Sequence, residues 1–169
     1  MFRFVLLLIL YLLPSFAFAT KRLAVLEFRG VGVDEAVLRV MADDVRIGVL
    51  EGINKQQVDG HDILVMTREN MMDMLSSMGK TAVDCQGECE VEIARNIGAD
   101  YVVTGDLLRL EDTYLLTLKL HDSHTGLMLA GREVNSTSLL ELVQFSQQAS
   151  QEILVSGLGI SFPLVRSRT

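Results

Sequence analysis

Cysteine is scarce. Cys85 and Cys89 are the only two in 169 residues, and none directly follows the apolar run at the N-terminus. A lipid-anchored mature form needs a cysteine there, so no lipid anchor is expected. Positive charge is scarce as well: 15 Lys and Arg stand against 22 Asp and Glu, a formal net charge of −7. The basic residues form no stripe of the kind that counterion release on a phosphate backbone requires, which argues against nucleic acid as a partner and against adsorption to an anionic membrane. Low-complexity segments and internal repeats are missing too. The longest apolar run falls well short of the roughly 20 residues that span a bilayer.

That run lies in residues 1–19 and has the parts of a secretory signal peptide. Arg3 supplies the positive start, residues 4–13 are unbroken apolar chain, Pro14 and Ser15 break it, and Ala17-Phe18-Ala19 offers a small-x-small cleavage site. Cleavage after Ala19 leaves 150 residues (169 − 19) and, with Arg3 gone, a net charge of −8. A chain of that length suits one domain, expected over residues 20–155, followed by a tail of unknown structure over 156–169. The tail carries Arg166 and Arg168 and no acid.

The mature chain opens with KRLAVLEF (21–28), a buried-strand pattern. Gly30 and Gly32 then have the look of a phosphate cradle. The third glycine of a dinucleotide fingerprint is absent, since position 35 is Glu, so a plain turn is expected. Asp34 is placed to cap a helix running to about Glu51, with Val37, Met41, Val45 and Val49 on its apolar side and Arg39 paired with Asp43 on its wet side. Residues 63–66 read as a strand. Thr67 caps a second helix with a Met71, Met74, Leu75, Met78 stripe ended by Gly79, and a third helix covers 89–97.

Residues 101–134 read as three antiparallel strands in a meander. Tyr114, Leu116, Leu118 and Leu120 share one face of the middle strand, and Asp122 and Gly126 shape the hairpin after it. Ser138-Leu139-Leu140-Glu141 is a capping box opening a fourth helix to about Val155, with Leu142, Phe145, Ala149 and Ile153 inward. Five strands and about four helices result, an α/β (mixed α+β) chain with the three-strand meander in its C-terminal half.

Chemistry-bearing residues are few. Cys85 and Cys89 sit where an exported chain keeps disulfides. Helical i, i+4 Cβ atoms are about 5–6 Å apart while a disulfide needs about 3.5–4.5 Å, so a bridge requires a bend, which Gly87 permits. A structural disulfide is the expected role; free or partner-linked thiols, and a redox or zinc role, are the alternatives. Met71, Met72, Met74 and Met78 would suit copper(I), but three of the four (71, 74 and 78) share a helical stripe with Leu75 and read as core. His121 and His124, with Asp122, could loosely hold a metal, yet a tight loop encloses no pocket. His61 has no catalytic setting. Asp43 and Asp44 are consecutive on a helix and point about 100° apart. No serine or threonine stands in a nucleophile elbow. An enzyme is not expected, and no cofactor is implied.

The order strand, helix, strand, helix, helix, meander, helix, together with LAVLEF, IGADYVVTGDL and YLLTLKLHDSHTGLMLAG, resembles a bacterial envelope superfamily. It comprises CsgG-type curli-secretion proteins, lipoprotein activators of penicillin-binding proteins, and the amino-terminal domain of TolB. The likeness spans about residues 21–155 and is carried most specifically by Gly98-Ala99-Asp100-Tyr101 leading to Gly105, and by Asp122-x-x-Thr125-Gly126. It implies a five-stranded mixed sheet with helices on its faces, working in the periplasm through protein contacts. The turns at 111–113 and 122–126 are too short for the membrane-crossing hairpins of secretion channels, and no propeller follows as in TolB. The expected function is a non-enzymatic scaffold or accessory module of the envelope, docking on an envelope protein, self-associating, or serving outer-membrane assembly. A periplasmic metal- or small-ligand-binding protein using the Met-rich helix or the His loop is the alternative. After signal cleavage no stable membrane insertion is expected.

Overall fold

A computed structural model describes residues 20–53, 57–58, 61–79 and 89–160. In chain order these form β1 (Lys21–Val25), β2 (Arg29–Val31), α1 (Glu35–Ile53), β3 (Gln57–Val58), β4 (His61–Val65), α2 (Arg68–Ser77), α3 (Cys89–Asn96), β5 (Tyr101–Leu110), β6 (Thr113–Asp122), β7 (Met128–Ser136) and α4 (Leu139–Leu158). The sheet runs β3-β4-β1-β5-β6-β7, with β2 continuing beside β5 beyond the end of β1. Strand β1 is parallel to β4 and to β5, while β5, β6 and β7 are antiparallel to one another. The expected mixed α/β sheet with its meander and four helices is the fold observed. Two short strands add to the five expected: β2 falls in the Gly30–Gly32 connection and β3 in a polar stretch before β4.

Period-2 alternation in β1 divides the core. Leu23 and Val25 face α1 and α4 together with Met41, Val45, Val103, Leu116, Leu118, Leu120, Leu142 and Ile153. Ala24 and Leu26 face α2 and α3 together with Met66, Met71, Leu75, Ile93 and Val102. Gly105 lies on β5 because Phe28 packs there: a Cβ would stand 2.5 Å from Phe28 Cζ. Helices α1 and α4 run side by side and in the same direction. Gly48 lets them touch, since a Cβ at this position would meet Gln147 O at 2.9 Å. Asp44 accepts from Gln147 Nε2 at 3.4 Å one turn earlier.

Several local expectations need correcting. Arg39 pairs with Glu35 at 3.5 Å, not with Asp43, which instead pairs with Arg46 one turn on. Arg46 is drawn inward because its guanidinium also donates to Val25 O at 2.8 Å. The buried side of α4 carries Leu142, Ser146, Ala149, Ser150, Ile153 and Leu154, and Phe145 is exposed. Two serines replace Phe145 there because the close crossing of α1 admits only small side chains. Helix α4 also runs past Val155 to Leu158, ends on left-handed Gly159 and is followed by buried Ile160. Residues 1–19 with the Ala19 cleavage site, Cys85, and residues 161–169 lie outside the described residues. Among the described residues no helix is long and apolar enough to cross a membrane.

Candidate functional site

The residues of the two most specific sequence motifs meet at one end of the sheet. Asp100, just before β5, accepts from Arg22 N at 2.8 Å, from Lys21 Nζ at 3.1 Å, and lies 3.1 Å from His124 Nε2. Asp122 Oδ1, at the end of β6, accepts from His124 N at 2.9 Å, Thr125 N at 2.7 Å and Thr125 Oγ1 at 3.0 Å. Ser123 joins the two motifs: its N–H donates to Asp100 O at 2.9 Å, its hydroxyl to Ala99 O, and its own carbonyl accepts twice from Arg95 of α3. Burial alone would push both carboxyls up. The donated bonds outweigh it and hold each below the usual carboxylate range. The motif residues therefore fasten β1, α3, β5 and the β6–β7 hairpin together.

The structure separates the two meander histidines in role. His124 is exposed and reaches Asp100. His121 lies on the opposite sheet face from Leu120, with both ring nitrogens buried and without a hydrogen-bond partner. Burial, together with the nearby Lys119, holds His121 below its ordinary pKa against the pull of Glu90. Around it spreads a polar cluster. Asp106 binds Arg29 Nη2 at 2.8 Å and Lys119 Nζ at 3.1 Å, and the same Arg29 nitrogen binds Glu90 Oε1 at 2.8 Å. Thr104, only 3% exposed, holds its hydroxyl among these groups with no partner. Both cations are thus already engaged by carboxylates. Among the described residues no group of three or more His, Cys, Asp or Glu is placed to hold a metal ion.

The other nominated residues scatter. Met71 is buried against α3, Met72 and Met74 are partly buried in the same cluster, and Met78 is exposed at the end of α2. Cys89 opens α3. His61 opens β4.

A further surface feature is apolar and lies on the helices. Between the N-terminal halves of α1 and α4 a groove of about 370 Å³ opens, lined by Ala36, Val37, Val40, Met41, Leu139, Leu140 and Val143. Val40 is 54% exposed and Leu140 73%. The signal was present as apolar residues lying beside the buried stripe of α1 and at the very start of α4, where a cap needs none.

No protein-family model and no curated protein matches the chain. Solved structures do. The LpoB C-terminal domain from Escherichia coli aligns at a TM-score of 0.53 and 16% identity, over 74% of this chain and 88% of that one. The chain shares its fold with that domain. The LpoB C-terminal domain from Salmonella enterica aligns at 0.51 and 16% identity over 73% and 87% of the two chains. Lipoprotein GNA1162 from Neisseria meningitidis aligns at 0.55 and 14% identity, over 75% and 92%. At these identities the likeness is one of fold.

Proposed function

We propose that this chain is a non-enzymatic protein-interaction module of the bacterial cell envelope, acting in the periplasm as a scaffold or accessory protein. The observation that carries the reading is the open apolar groove between α1 and α4. Large side chains such as Leu140 and Val40 are left in water at a site where a partner surface would cover them. The polar clusters, by contrast, spend their charges on one another. Sharing a fold with the LpoB C-terminal domain and with a Neisseria lipoprotein supports the envelope setting. The reading includes removal of residues 1–19 and a Cys85–Cys89 disulfide, which intact-mass measurement before and after reduction would register as two added hydrogens.

A photo-crosslinking residue placed at Val40 in the native host tests the function. The expected outcome is a discrete adduct with an envelope protein or with the chain itself, and none from the same residue at Asp73, which is exposed on α2. Equal labelling at both positions, or adducts with cytosolic proteins alone, would overturn it.

A further inference from the structure

The groove and the end of α4 lie at opposite ends of the molecule. The groove opens beside Leu139 and Leu140, next to the end of β7, where Ser136 pairs with Tyr114. Helix α4 then runs back along the sheet, so that Gly157 packs on Leu120, Leu129 and Ala130 at the other end. We infer that the groove receives residues 161–169 of a second copy of this chain, joining copies head to tail. The inference rests on the groove being a protein-contact surface.

Chemistry supports this occupant. Residues 161–169 read SFPLVRSRT, three large apolar side chains (Phe162, Leu164, Val165) followed by Arg166 and Arg168, with no acid. The groove offers the complement. Its floor is apolar, and Asp34, Glu35, Asp43, Asp44 and Glu141 stand at the groove ends of its two helices or beside them. Arg39 and Arg46 pair with Glu35 and Asp43, and Arg109 packs near Gly32, so an acidic surplus remains. A like-charged occupant would be repelled, and a purely apolar one would leave that surplus unused.

Reach decides between the chain's own segment and that of a neighbour. Leu140 lies about 27 Å along α4 from Leu158, at ~1.5 Å per residue. From the same Leu158, Val165 extends at most about 25 Å, Leu164 about 22 Å and Phe162 about 14 Å, at ~3.6 Å per residue. The nearest lining residue, Val143, lies about 22 Å back along α4, at ~1.5 Å per residue. A chain's own segment therefore cannot lay Phe162, Leu164 and Val165 together in its own groove, whereas a neighbour's can. The contact uses different surfaces on the two copies, so it propagates into a closed ring or an open filament.

The test is light scattering on the full chain purified from the periplasm, across a concentration series, beside two variants: Leu140→Lys, and Arg166→Glu with Arg168→Glu. Wild type is expected to grow beyond one chain with concentration, and each variant to weaken association at least tenfold. Mixed together, the two variants should form a dimer that grows no further, because one supplies an intact groove and the other an intact segment. A labelled SFPLVRSRT peptide should bind wild type and not Leu140→Lys. Val40→Lys replaces Leu140→Lys if the latter does not fold. A chain that stays monomeric, association that ignores these variants, or a mixture that stays monomeric would overturn the inference. If Val40 still crosslinks to an envelope protein in that event, the interaction-module reading stands without it; if that adduct is also missing, both fall.

Discussion

Asp100 and Asp122 show how single side chains hold the fold, and they make it acid-sensitive. Both carboxyls are depressed by donated hydrogen bonds, so each contributes stability that is fully present above the unfolded value of about 3.9 and is lost as pH falls through the lower folded value. Asp100→Asn should destabilise the chain at pH 7 by roughly 1–3 kcal/mol. The gap from wild type should narrow below about pH 4, as urea titrations at both pH values would show. His121 acts in a different window. Its folded pKa is depressed by burial, so the unfolded chain takes up a proton first as pH drops below about 6.5, and stability falls with it. Within the surrounding cluster of Arg29, Glu90, Asp106 and Lys119, Glu90 and Lys119 pull on it in opposite directions, and burial dominates. His121→Leu should lose part of the stability decrease between pH 7.5 and 5.5; an unchanged pH profile would show that the ring is not what titrates. Neither role was visible in spacing alone. Asp122-x-x-Thr125-Gly126 announced a turn, but the partner across it, Asp100, is adjacent only after the sheet has formed.

At the level of elements, the start of α4 departs instructively from the capping-box pattern. Ser138 Oγ does accept from Glu141 N, at 3.5 Å, but the Glu141 carboxylate does not return to the Ser138 N–H. Ser136 stands between them, donating its hydroxyl to Glu141 Oε2 at 2.7 Å and accepting from Ser138 N at 3.0 Å. The shorter bonds, and the deeper burial, belong to Ser136. Ser136→Ala is therefore expected to cost about 1–2 kcal/mol and Ser138→Ala about 0.5–1 kcal/mol, read from urea midpoints; the reverse order would contradict the relay. Long elements were legible from pattern because each carried several turns or alternations: α1 on Val37, Met41, Val45 and Val49, and β6 on Leu116, Leu118 and Leu120. Strands β2 and β3 were not, since Arg29–Val31 and Gln57–Val58 are too short to show a period and owe their conformation to the strand beside them. The inward side of α4 was misjudged at Phe145 for a related reason: the small-residue crossing with Gly48 is set by another helix and leaves no trace in the periodicity of its own. The groove leaves no distinctive sequence signal on the same grounds, because Val40 and Leu140 look like ordinary apolar helix residues until the two helices lie side by side.

Across the whole molecule the two core clusters share β1 and β5, and this governs how the chain comes apart. Leu23 and Val25 serve one cluster and Ala24 and Leu26 the other, so neither layer of helices can leave without exposing a strand the other needs. The motif residues reinforce the coupling, since Arg95 on α3 holds the β6–β7 hairpin through the Ser123 carbonyl. One cooperative transition is expected despite the separation of the clusters. Met71→Ala, on the α2 side, and Val45→Ala, on the α1 side, both truncate fully buried side chains. Each should lower the urea midpoint by the equivalent of about 2–4 kcal/mol for Met71 and about 1–3 kcal/mol for Val45, with the slope unchanged. Followed by circular dichroism and by exchange of backbone amides on α2 and α1, the transitions of each variant should coincide. If instead Met71→Ala released α2 and α3 at low urea while α1 and α4 stayed protected, the sheet would be holding two independent halves, and the interior strands would not be the common support that their alternating side chains make them.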